Sequence, residues 1–120
     1  MQFRISKPDA VLVGTLDPTG VAADFARLLP LHLTLSDFAG KEKVADLPRA
    51  LDVTGMPEGY RPSAGDVCYY APWGNLAIFY KDAGHARGLV KLGRIDEHLA
   101  ALIAARTPLE VTFERVGDAE

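Results

Sequence analysis

A single cysteine, Cys68, leaves no partner for an intrachain disulfide, and its place in an apolar run marks it as an inert buried thiol. That suits a reducing compartment. No apolar run is long enough to span a bilayer: Ala10 to Leu16 is broken by Gly14, and no basic start with an apolar stretch and a small-residue cleavage site precedes it. The expected location is therefore cytoplasmic, with no membrane partner. Basic charge is not in excess either. The net charge is −3, with Lys and Arg scattered rather than striped, so no footprint for a phosphate backbone exists and nucleic acid is not an expected partner.

The usual marks of chemistry are also missing. His32, His85 and His98 are dispersed, without HExxH or Cys/His spacing, so no metal site is expected. No GxxxxGK[ST] loop occurs, and the glycines between Gly84 and Gly93 are wrongly spaced for a dinucleotide cradle; no cofactor is expected. The three serines, Ser6, Ser36 and Ser63, stand in no nucleophile elbow, which leaves a hydrolase triad without a start. Asp96-Glu97-His98 reads as the capped first turn of a helix rather than as an acid/base cluster.

What is present is an ordinary globular composition, 48% hydrophobic and 24% charged over 120 residues, which fits one domain spanning 1–120. Phe3 and Ile5 alternate with polar neighbours, and after a Lys7-Pro8-Asp9 break comes the β-branched run Val11-Leu12-Val13: two strands. Asp17-Pro18 predicts a helix start, and Val21, Phe25, Leu28 and Leu29 form its apolar stripe until Pro30 stops it. Leu31, Leu33 and Leu35 predict a strand buried on one face. A short apolar piece, Val44 to Leu47, leads into a Pro- and Gly-rich loop over 48–64, with a brief strand expected near Leu51 to Thr54. Val67–Ala71 and Leu76–Lys81 form a hairpin about Pro72-Trp73-Gly74. Gly88 to Ile95 is a strand with glycines where it can bend or bulge. Asp96 is expected to cap a second helix lined by Leu99, Leu102 and Ile103, with Thr107-Pro108 as its stop, and Leu109, Val111 and Phe113 mark the last strand.

Strands this numerous in so short a chain avoid exposed edges by closing on themselves, and two amphipathic helices would cover the open ends. The phrases DPTGVAADFARLLPLHLTL (Asp17 to Leu35), SAGDVCYYAPWGNLAIFYKD (Ser63 to Asp82) and GLVKLGRID (Gly88 to Asp96) resemble the cyclophilin-like fold proteins of bacteria over nearly the whole chain. The resemblance implies a mainly β fold, a closed eight-stranded cyclophilin-like β-barrel capped by two α-helices, and it implies no established reaction. True cyclophilins carry an Arg preceded by an aromatic-His pair and a later Gln-Gly-Gly segment. Here Arg61 follows only Tyr60, and Gly65-Asp66 echoes a fragment of the second pattern, so no catalytic residue is carried over.

One stretch stands apart. Residues Tyr69 to Asp82, YYAPWGNLAIFYKD, hold five of the ten aromatic side chains with the only Trp and the only Asn. Strand alternation turns Val67, Tyr69 and Ala71 one way and Cys68 and Tyr70 the other, while Leu76, Ile78 and Tyr80 oppose Ala77 and Phe79. Both faces are apolar. One fills the barrel; the other must be covered by the chain itself, by a small molecule or short peptide, or by a second subunit. A ligand site there would draw on Tyr70, Trp73, Asn75, Phe79, Tyr80 and Arg94. The rival readings are a peptidyl-prolyl isomerase, with Arg61 or Arg94 as donor to the amide nitrogen, and a homo-oligomerisation module.

Overall fold

The computed structural model describes residues 1–116. Its strands are β1 (Gln2–Lys7), β2 (Ala10–Leu16), β3 (Leu31–Phe38), β4 (Glu42–Asp46), β5 (Gly59–Tyr60), β6 (Asp66–Tyr70), β7 (Asn75–Phe79), β8 (Ala86–Arg87), β9 (Leu89–Glu97) and β10 (Leu109–Val116), and its helices are α1 (Gly20–Ala26) and α2 (Leu99–Ile103). Eight strands close in the order β1-β10-β3-β4-β7-β6-β9-β2, all neighbours antiparallel. The closed eight-stranded barrel is as expected. β5 and β8 form a separate two-stranded sheet.

Alternation decides what goes inside. Phe3, Ile5, Leu12, Leu33, Leu35, Val67, Tyr69, Leu76, Ile78, Leu92, Val111 and Phe113 are all buried in one core cluster. Phe113 is its hub, stacked on Phe3 at 5.8 Å and met edge-on by Phe25 of α1 at 5.8 Å. The register places the helices at opposite ends: α1 joins the end of β2 to the start of β3, and α2 lies between the end of β9 and the start of β10. α1 contributes Val21 and Phe25 to the core, and α2 contributes Leu102.

β9 supplies the bend that closure needs. Its pairing with β6 shifts between Val67 and Cys68, and its pairing with β2 shifts between Val13 and Gly14, leaving Leu92 and Asp96 as the extra residues of two bulges. Gly93 stands beside the first, where a Cβ would run into the Thr15 carbonyl.

Four local expectations are corrected. Thr19, not Asp17, caps α1, its Oγ1 accepting from the Ala22 N–H at 3.2 Å. Asp17 instead donates its own N–H to the Leu92 carbonyl and faces Lys91 at 3.6 Å. Asp96 does not cap α2, because it belongs to β9, where its carboxylate accepts from Thr15 Oγ1 and pairs with Arg94; His98, in the left-handed region at φ 70°, holds the cap position. Ile103 of this five-residue helix is exposed. Finally, Leu51–Thr54 is not a strand, since side chains take its N–H groups: Leu51 donates to the Tyr69 hydroxyl, Asp52 to Asp24, and Thr54 to Asp52.

Candidate functional site

The hairpin of β6 and β7 has two apolar faces, as its sequence requires. Val67, Tyr69, Leu76 and Ile78 point into the barrel, and Cys68, Ala77 and Phe79 form a second, smaller cluster outside it with Leu89. The chain covers part of that outer cluster itself: Tyr60 of β5, Ala86 of β8 and Ala83 pack against it. Tyr60 is held by donating to Asp66 Oδ2 at 2.6 Å, and the same carboxylate oxygen accepts from the Ser63 N–H at 2.9 Å. Burial raises the Cys68 thiol far above its ordinary range, with the Asp66 charge adding to the effect. Cys68 is therefore a packing residue and not a nucleophile.

Beyond this cover the outer face lies open as a cleft of about 560 Å³. Cross-strand register sets its floor. In one row Phe38, Glu42 and Phe79 stand side by side on β3, β4 and β7. In another Asp46, Asn75, Tyr70 and Leu89 follow one another on β4, β7, β6 and β9. Val44 lies between the rows, next to Ser36 and Ala77. All of these except Ala77 line the cleft.

Trp73 forms an arch over this floor. The turn Ala71-Pro72-Trp73-Gly74 closes with the Gly74 N–H donating to the Tyr70 carbonyl at 2.9 Å, and Gly74 takes a left-handed φ of 69°, which costs a glycine little. The indole meets Tyr70 edge-on at 5.4 Å and Phe38, from across the cleft, at 6.0 Å. It stays 66% exposed and so plugs neither end of the barrel. An exposed indole braced by two other rings is an unusual use of the most costly side chain in the sequence.

Among the described residues, two groups in the cleft lack partners. Asn75 is only 7% exposed; its amide nitrogen donates to the Leu76 carbonyl at 3.1 Å, while Oδ1 meets no donor among the described residues. Exchanging the two amide atoms would set carbonyl against carbonyl, so the orphan is the oxygen. Glu42 is half-buried between aromatic rings, and burial alone pushes its carboxyl above the ordinary glutamate value.

Of the six residues singled out in the sequence, Tyr70, Trp73, Asn75 and Phe79 meet in the cleft, while Tyr80 and Arg94 lie outside its lining. Tyr80 donates to Asp37 Oδ1 at 2.6 Å beneath the Lys43 ammonium, 5.2 Å from its ring; the hydrogen bond to Asp37 raises its hydroxyl to about 12. Arg94 pairs with Asp96 at 3.0 Å. Arg61 is exposed and, like Arg94, is absent from the cleft wall, so neither offers the cleft an amide donor. Sequence reasoning missed Phe38, Glu42 and Asp46. The signal lay in β3, where Phe38 takes the wet-face parity of Thr34 and Ser36, an aromatic where a polar residue belongs.

A search of curated proteins finds no match. Among solved structures, the chain is similar to a hypothetical protein of Archaeoglobus fulgidus whose solution structure superposes with a TM-score of 0.72 at 21% identity, covering 97% of this chain and 95% of the other. At that identity the likeness speaks for the barrel alone. The profile of the cyclophilin-like family matches residues 5–114, and with nearly the whole barrel inside that match, this chain belongs to the cyclophilin-like family.

Proposed function

We propose that this protein binds a small molecule or a short peptide in the outer cleft beside the aromatic hairpin, without recognisable catalytic machinery. The observation that carries the reading is the Trp73 arch: an indole held out over a mostly apolar cleft with a few polar groups on its wall, rather than folded back onto the core. Such a concave, largely apolar surface with sparse polar handles is the usual form of a ligand site.

Trp73 is the only tryptophan, so its emission reports on the cleft without labelling. A metabolite and dipeptide panel screened by melting temperature should contain compounds that raise Tm in proportion to the logarithm of their concentration. The same compounds should shift or quench the Trp73 emission. A panel that at millimolar concentration moves neither Tm nor emission withdraws the reading.

A further inference from the structure

We infer that the occupant of this cleft is an organic cation, an ammonium or amidinium group on an apolar body, with its N–H donors directed to Asn75 Oδ1 and its charge set between Asp46 and the ring of Tyr70. The inference rests on the cleft being a binding site and adds the chemical class of the ligand.

The polar wall holds one buried acceptor that no donor reaches. Oδ1 of Asn75 is a buried acceptor with nothing to accept. An orphan of this kind is unfavourable unless a small turn of the amide brings the oxygen to a water or to the N–H or O–H of an occupant. Charge narrows the choice between these. Among the described residues, the two charged side chains lining the cleft are Glu42 and Asp46, both acidic, at opposite ends of β4 and roughly 13 Å apart at about 3.3 Å per residue. No basic residue lines it.

Three neighbouring cations face other carboxylates. Lys43, between Glu42 and Val44 in sequence, points to the opposite face, buried to 4% exposure against Asp37 and the Ala105 carbonyl. Lys91 pairs with Asp17 and Arg87 with Glu58. An anionic ligand would meet two like charges and no cation on the lining.

The rings supply the rest. Tyr70 stands directly across from Asn75, which in turn is flanked by Asp46, and Trp73 meets Tyr70 edge-on. Aromatic faces attract cations through the ring quadrupole, and a carboxylate beside them adds a charge-assisted hydrogen bond. Phe79, Val44 and Phe38 continue the floor toward Glu42, where the apolar body of the ligand would lie.

The test is a titration of the full chain, followed by Trp73 emission and calorimetry, with four phenyl-bearing probes. These are 2-phenylethylamine for a free amine, phenylalanyl-alanine amide for a peptide amino terminus, 2-phenylethanol as the neutral isostere and 3-phenylpropionate as the anion. At least one of the two amines is expected to bind 10-fold or more tighter than the alcohol, with the anion weakest; which amine prevails separates a metabolite from a peptide. Asn75→Leu should weaken amine and alcohol alike, because both donate to Oδ1, whereas Asp46→Asn, at an exposed position, should cut the amine preference several-fold with unaltered circular dichroism. Equal binding of alcohol and amine, or preferred binding of the anion, overturns the cation assignment while leaving the cleft a binding site. An unchanged amine preference in both Asp46→Asn and the double variant with Glu42→Gln overturns it as well. Failure of all four probes to bind overturns this inference and counts against the cleft as a site for phenyl-bearing ligands.

Discussion

The two faces of one hairpin differ in how completely they are used. On the inner face of β6 and β7, Val67, Tyr69, Leu76 and Ile78 are each at most 1% exposed, and the lone polar atom there, the Tyr69 hydroxyl, accepts from the Leu51 N–H at 3.1 Å. On the outer face, Cys68, Ala77 and Phe79 are covered by β5 and β8, but the same surface continues into an open cleft with an orphan acceptor and a half-buried carboxyl. A surface shaped only for stability would fill its voids and pair its polar atoms, as the inner face does. The outer face leaves both undone.

That contrast can be attacked directly. Leu76→Ala opens a cavity in the barrel core and should cost about 2–5 kcal/mol by urea denaturation, among the larger losses available to a single substitution. Ligand affinity measured on the folded fraction should change little. Tyr69→Phe should cost about 1–3 kcal/mol, because it strands the buried Leu51 N–H, and it should make the 48–64 segment cleave faster in limited proteolysis. Both changes act on the inner face and weaken the fold.

The outer face should behave oppositely. Glu42 has its folded-state value raised by burial from the ordinary 4.5, so the fold favours its neutral form. Its burden on stability is absent below pH 4.5 and grows as pH rises through the raised value. Glu42→Gln should therefore increase Tm slightly at pH 7, and the gain should vanish near pH 4, as calorimetric scans at both pH values would show. Trp73→Ala should leave stability within about 0.5 kcal/mol, the usual range for an exposed site, yet remove the response to every cleft ligand. A large destabilisation by Trp73→Ala would mean that the arch is structural and that the two faces are alike.

The barrel was legible in the sequence because period-two alternation survives in β1, β3 and β10, and because the aromatic hairpin of β6 and β7 could satisfy both apolar faces only in a closed, layered structure. The caps were not, because they depend on tertiary neighbours. Asp17 and Asp96 have the chemistry of caps, but Asp17 is drawn to Lys91, and Asp96 is the extra residue of a bulge that only closure creates. The expected strand at Leu51–Thr54 failed for a related reason: Tyr69 and Asp24, distant in sequence, take the N–H groups a ladder would need. Asp24 is itself fixed by Arg49 at 2.9 Å and Arg27 at 3.1 Å, which hold its carboxyl far below the carboxylate range.

The site was half legible. Tyr70, Trp73, Asn75 and Phe79 share a hairpin and could be grouped from local parity alone. Phe38, Glu42 and Asp46 come from strands whose place beside that hairpin is set by barrel order, which no local pattern encodes. Tyr80 shares the hairpin but donates to Asp37, and Arg94, on β9, pairs with Asp96, so neither joins the cleft.

Trp73, Asn75 and Gln2 are each the only residue of their kind, so a proton–nitrogen correlation spectrum assigns one indole and two side-chain amides by single substitutions. Titration with 2-phenylethylamine should move the Trp73 indole and Asn75 amide signals together along one saturable curve while Gln2, on β1 away from the cleft, stays fixed. If Trp73 and Asn75 hold still at millimolar amine, or drift no more than Gln2 does, the outer cleft is not the amine site described.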